Sequence, residues 1–207
     1  MSGPPPTPAD RRELDRVAAF SDGVFAIAIT LLVLNLDVPH VAGDHLGSAI
    51  SDLADAFEAY AIGFAVMGLF WYEHHRLFSS LARTSGRLVL VNLALLATIG
   101  LMPFTTAVLG SYDEPLAVAL YAGNVGLTVL LQGLLRLVTV GDALGESDQP
   151  RSRSRDVIVG AVSRAVVFLA SIPVAYEVSE SLAKWMWLLL LAPGFVEHRR
   201  VAAHRPG

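Results

Sequence analysis

The chain has 207 residues, 54% of them hydrophobic and 16% charged, with a mean hydropathy of +0.54. A soluble domain carries about a quarter charged residues to cover its surface, so this composition predicts that lipid is the main solvent. The net charge of -4 argues against a nucleic-acid partner, and the absence of cysteine excludes a disulfide framework, a thiol nucleophile and a thiolate metal site.

At about 20 apolar residues per spanning helix, the chain holds six spans and has no room for a separate soluble enzyme domain. The expected class is an all-α integral membrane protein, multi-pass in the cell membrane, with no cofactor. Of the 15 basic residues only Lys184 is lysine, a bias that resembles GC-rich bacterial coding.

In chain order, residues 1–12 are Pro-rich and then charged, and read as a disordered lead. A six-helix domain over 13–198 follows, and 199–207 forms a short basic tail. The first span, 17–38, is apolar apart from Ser21, Asp22, Thr30, Asn35 and Asp37. The second, 48–74, has an acidic first half (Asp52, Asp55, Glu58). The third, 87–110, contains Pro103, where a bend is expected. The fourth is 115–140. A hydrophilic loop leads to the fifth, 155–177, which contains Arg164; snorkelling of this side chain to the boundary is the expected arrangement. The sixth, 181–197, is the shortest.

Charge placement selects the topology. With both termini inside, the inside segments hold 13 of the 15 basic residues, including Arg11, Arg12, Arg16, Arg76, Arg83, Arg87 and Arg136. The positive-inside rule requires this sorting, and an odd span count would split the terminal arginines between two sides. The outside segments are acidic (Asp37, Asp52, Asp55, Glu58, Asp113, Glu114). They read either as solvated loops or as a vestibule that concentrates cations.

The first span carries the chemistry. An aspartate within a membrane span is a functional or network candidate by default. At 100° per residue, with Ile27 at zero, Leu31 falls at about 40°, Leu34 at about -20°, Thr30 at about -60° and Gly23 at about -40°, whereas Asp22 falls at about -140°. If the Ile27 stripe faces a central axis, Asp22 faces neighbouring helices and needs partners there. The antiparallel second span ends in Trp71-Tyr72-Glu73-His74-His75-Arg76. The indole N–H of Trp71 and a ring N–H of His74 can both donate to Asp22, with Arg16 available for charge compensation.

Arg16-x-x-x-Phe20-Ser21-Asp22, running into Gly-Val-Phe-Ala-Ile-Ala-Ile-Thr, resembles the transmembrane protein 175 family, the lysosomal potassium channels and their bacterial homologues. Trp71-x-x-His74 with Arg76-Leu77-Phe78 resembles the family's second helix, and Asn92 with Pro103-Phe104 its third. The resemblance implies a single-repeat bacterial member that forms a homotetramer with a pore lined by four first helices. It also implies a constriction at Ile27, further apolar rings at Leu31 and Leu34, and selectivity at Ile27 and Thr30. Arg16, Phe20, Ser21, Asp22, Trp71 and His74 would form the inter-helix support network. The conducted partner would be K+ and other monovalent cations.

Competing readings stand beside these. Ile27, Leu31 and Leu34 could be ordinary helix packing, and Thr30 could simply bond back to its own helix. Glu73-His74-His75 is not read as a metal site, because adjacent helical histidines point about 100° apart. Thr139-Val140-Gly141-Asp142 resembles a carbonyl filter only superficially, since no re-entrant helix precedes it. Two rivals to a channel remain open. One is a proton-coupled transporter using Asp22 and His74; the other is a membrane enzyme, for which too few convergent groups are present.

Overall fold

A computed structural model describes residues 7–41, 45–144 and 152–179, with Ala183 and Trp187; within 152–164, side chains are described only at Val159 and Val162. The described residues are helical: α1 (Pro8–Leu31), continued by a 3-10 turn (Leu32–Asn35), then α2 (Leu46–Ser51), α3 (Ala54–Phe78), α4 (Gly86–Ser111), α5 (Pro115–Gly141) and α6 (Ser152–Glu177). Among the described residues, four segments are long and apolar enough to cross a membrane: Pro8–Asn35, Ala54–Phe78, Gly86–Ser111 and Pro115–Gly141.

Two boundaries differ from expectation. The helix in α1 reaches back into the segment read as a disordered lead. Thr7 caps it by accepting from the Asp10 N–H while Asp10 answers to the Thr7 N–H, and Pro8 occupies the first turn, where its missing N–H is harmless. The expected second span is not one helix. It breaks at Asp52 and Leu53 into the short α2 and the long α3, so its acidic start belongs to a separate turn of helix. Pro103 lies inside α4 without ending it, and the Asn35 side chain donates to its carbonyl at 3.1 Å, tying the far end of α1 to α4. The expected sixth span lies outside the described residues apart from Ala183 and Trp187. Arg164's side chain and the basic tail also lie outside them.

Two apolar clusters hold the bundle. The larger joins Phe25, Ala28 and Leu32 of α1 to Val66, Met67 and Phe70 of α3, Ile99 and Met102 of α4, and Tyr121 and Val125 of α5. Trp187 is packed between Tyr121 and Phe168, with its indole N–H donating to Ser171 at 2.9 Å. The helices α3 and α4 approach closely at two glycines. A Cβ on Gly63 would lie 2.9 Å from Thr106, and one on Gly110 would lie 3.0 Å from the Ala59 Cβ and 3.1 Å from the Ala56 Cα. Small residues at such crossings let membrane helices make dense van der Waals contact.

The arginine-bearing ends of α1, α3, α4 and α5 gather at one end of the bundle. There the smaller cluster forms from Leu14, Phe78, Leu81, Leu88, Leu135 and Leu144. The end of α5 is closed by a reversal: Leu144 N–H bonds to the Thr139 carbonyl at 3.0 Å and Ala143 N–H to Val140 at 3.4 Å, with Ala143 left-handed at φ 49°. Thr139 to Gly141 are therefore helical, as the rejection of a carbonyl filter anticipated.

Candidate pore helix and its supporting network

One face of α1 is committed to the bundle and the other is open. Ser21, Phe25, Ala28 and Leu32 are buried, spaced so that every member lies on one side of the helix. On the opposite side, Ile27 is 63% exposed, Leu31 41% and Leu34 70%, and Gly23 and Thr30 are exposed with them. The Thr30 hydroxyl donates to the carbonyls of Ala26 at 3.0 Å and Ile27 at 2.8 Å, as the packing alternative expected of it. Its single proton is thus held against the helix, and the oxygen keeps both lone pairs for accepting.

Behind this stripe lies a polar network spanning three helices. The Trp71 indole N–H donates to Asp22 at 2.9 Å, as the helical angles required. His74 does not join that carboxylate. Its Nε2 meets the Asn92 side-chain oxygen at 2.8 Å, and the Asn92 amide donates to the Ser21 hydroxyl at 2.9 Å. Ser21 in turn donates to the Val17 carbonyl at 2.9 Å. With the Asn92 oxygen as acceptor, His74 carries its proton on Nε2, and the three donors run in one direction. Asn92 is 1% exposed and His74 2%, and Phe78 stacks on the imidazole with ring centres 4.3 Å apart. The expected Asp22–His74 pairing is thus replaced by two separate links, because the buried face of α3 turns His74 toward α4.

Arg16 and Phe20 stand apart from this network. Both line an apolar crevice of about 320 Å³ between α1 and α4, with Asn92 at its wall. Among the described residues Arg16 makes no ion pair with Asp22, so the expected charge compensation is absent. Asp22 instead borders a smaller crevice of about 160 Å³ shared with Asp15, His74 and His75. Asn92 was missing from the expected support set. Its signal was a lone carboxamide within an apolar span, which needs a buried partner.

Further polar ties fix the neighbours of the network. Gln132 of α5 donates to the Phe70 carbonyl at 3.0 Å, and Arg136 pairs with Glu73 at 2.9 Å in a half-buried setting. Thr128 donates to Thr98, and Asn124 to the Thr98 carbonyl, joining α5 to α4. In lipid each of these groups must find a protein partner, which makes them the stitches of the bundle.

The helices and their polar stitching define a multi-pass helical membrane protein. Residues 16–103 match the family model described as endosomal/lysosomal potassium channel TMEM175. The chain is 44% identical over 101 residues to a potassium channel of Streptomyces collinus, covering 48% of this chain and 49% of the relative. It is 40% identical over 121 residues to a potassium channel of Chamaesiphon minutus, covering 55% and 60%. It thus spans about half to three-fifths of the length of these curated relatives. The solved structure of a lysosomal potassium-selective channel TMEM175 homolog from Chamaesiphon minutus superposes with a TM-score of 0.77 at 28% identity, covering 90% of this chain and 98% of that one.

Proposed function

We propose that the chain is one subunit of a homotetrameric, potassium-permeable cation channel of the cell membrane, built from six spanning helices with both termini inside. Four copies of α1 line the pore. Ile27 forms the constriction, Leu31 and Leu34 form further apolar rings, and Thr30 contributes to selectivity beside Ile27. An apolar ring of this kind gates by dewetting and needs no bound ion. Ser21, Asp22, Trp71 and His74, joined by Asn92, support the helix from behind, and Arg16 and Phe20 flank it at the α1–α4 crevice.

The observation that carries this reading is the division of α1. Its only acidic side chain within the apolar span is tied to Trp71, while among the described residues an aliphatic stripe containing one hydroxyl oxygen is left exposed. The family-model match over residues 16–103 and the names of the bacterial relatives support the choice of potassium. Proton-coupled transport through an Asp22–His74 pair is not adopted, because the two side chains hydrogen-bond to different helices.

Recording from protein reconstituted in planar bilayers tests the proposal. Ile27→Asn should raise unitary conductance and lower potassium-over-sodium preference. Ile27→Cys, in a chain that has no other cysteine, should be blocked by a charged thiol reagent. Unchanged currents from both variants would remove Ile27 from the ion path.

A further inference from the structure

The first helix extends well beyond its apolar run. Between Pro8 and Arg16 it is charged except for Ala9 and Leu14, and Leu14 is buried. Its cluster contains Phe78 and Leu81 from the end of α3, Leu88 from α4, and Leu144, which follows the reversal at the end of α5. The segment 142–144 is itself strapped across the α3–α4 turn. Ala82 N–H bonds to the Leu144 carbonyl at 2.8 Å, Ser85 donates to the Asp142 carboxylate at 2.7 Å, and Arg83 donates to the Ala143 carbonyl at 3.3 Å.

One leucine cluster thus connects the strap to this stretch of α1, while Arg83 ties the strap to the α3–α4 turn. Ser85, which holds Asp142, is also the N-cap of α4, so the strap is anchored on a helix terminus and not on a loose loop. An apolar side chain in an otherwise charged turn gives the extension a single seat, and Leu144 forms part of that seat.

We propose that the extension of α1 preceding its apolar run is a lever, held in place by the strap 142–144, and that unseating the strap frees the lever and moves the helix to which it belongs. The lever follows from the contacts alone. Its consequence for conduction rests on the reading of α1 as the pore helix.

Hydrogen exchange on the full-length protein in lipid nanodiscs, followed by mass spectrometry, tests the mechanical part. Leu144→Ala and Arg83→Gln should each speed exchange of amides 11–16 at least tenfold and leave α5 residues 117–130 unchanged. Arg83→Gln removes only partly exposed contacts, so it keeps the test decisive if Leu144→Ala does not assemble. Single-channel recording tests the consequence: both variants should alter open probability at least threefold at constant unitary conductance. Unchanged exchange at 11–16 overturns the lever. Faster exchange with unaltered open probability overturns the coupling to conduction. Absence of current from the wild-type chain, with the exchange result intact, would instead refute the channel reading.

Discussion

Replacing Asn92 by alanine removes the centre of the polar network and gives a magnitude that can be worked from its contacts. The side chain accepts from His74 at 2.8 Å and donates to Ser21 at 2.9 Å, so one deletion cuts links to both α3 and α1. Ser21 retains its bond to the Val17 carbonyl and loses only an incoming donor. That loss is about 0.6 kcal/mol, the average for interhelical hydrogen bonds in membranes. His74 fares worse, because its buried ring N–H is stranded, which costs about 1–3 kcal/mol. Asn92→Ala should therefore destabilise the protein by about 2–4 kcal/mol. The assay is reversible unfolding in mixed detergent micelles of wild type, Asn92→Ala, His74→Phe and the double variant. With phenylalanine in place no donor is stranded, so the double variant should be about 1–2 kcal/mol more stable than the sum of the single losses implies. Additivity within about 0.4 kcal/mol would show that the two side chains do not act as a pair, and the network argument would fail.

Three further outcomes are expected. Trp71→Phe keeps the ring but removes the donor to Asp22, and should lower the unfolding free energy by about 1 kcal/mol in the same assay; an unchanged midpoint would mean that water replaces the indole without loss. Gly63→Ala should destabilise by about 1–3 kcal/mol, since its Cβ would sit 2.9 Å from the stiff, branched Thr106. Gly68→Ala, where nothing lies within 4 Å, should be neutral or stabilising by up to about 1 kcal/mol, and thermal unfolding that reversed this order would refute the crossing geometry. Ala143→Gly should raise stability by up to about 1 kcal/mol by relieving the left-handed backbone; a loss of stability in thermal unfolding would refute the strain at φ 49°.

Much of the bundle was legible because lipid imposes a simple rule: long apolar runs form helices, and arginines mark one end. The long helices α4 to α6 lie close to the expected limits for that reason, whereas α3 starts and ends later than expected. The orientation of Asp22 away from the Ile27 stripe was legible from angle alone, and the Trp71 bond agrees with it. The partner of His74 was not. Counting donors that could reach Asp22 left out the competing acceptor on α4, and only the rotation of α3 decides between them. The cap on α1 is written in Thr7-Pro8-Ala9-Asp10, but the prolines that precede it give the segment the composition of a disordered lead. The reversal after α5 was hidden because alanine stands where a glycine would have announced it. The break between α2 and α3 carries neither glycine nor proline, so hydropathy ran straight through it.

The glycine contacts between α3 and α4 have a mechanical consequence. Close approach at Gly63, against the Thr106 side chain, and at Gly110, against the Ala56 backbone, leaves little slack for this pair to slide or part, so the two helices behave as a single strut. The first helix is attached to that strut by the apolar contacts of Phe25, Ala28 and Leu32 and a few side-chain hydrogen bonds, and its own Gly23 has nothing within 4 Å. Any large rearrangement of the bundle is therefore cheapest when the strut stays whole and the first helix swings against it.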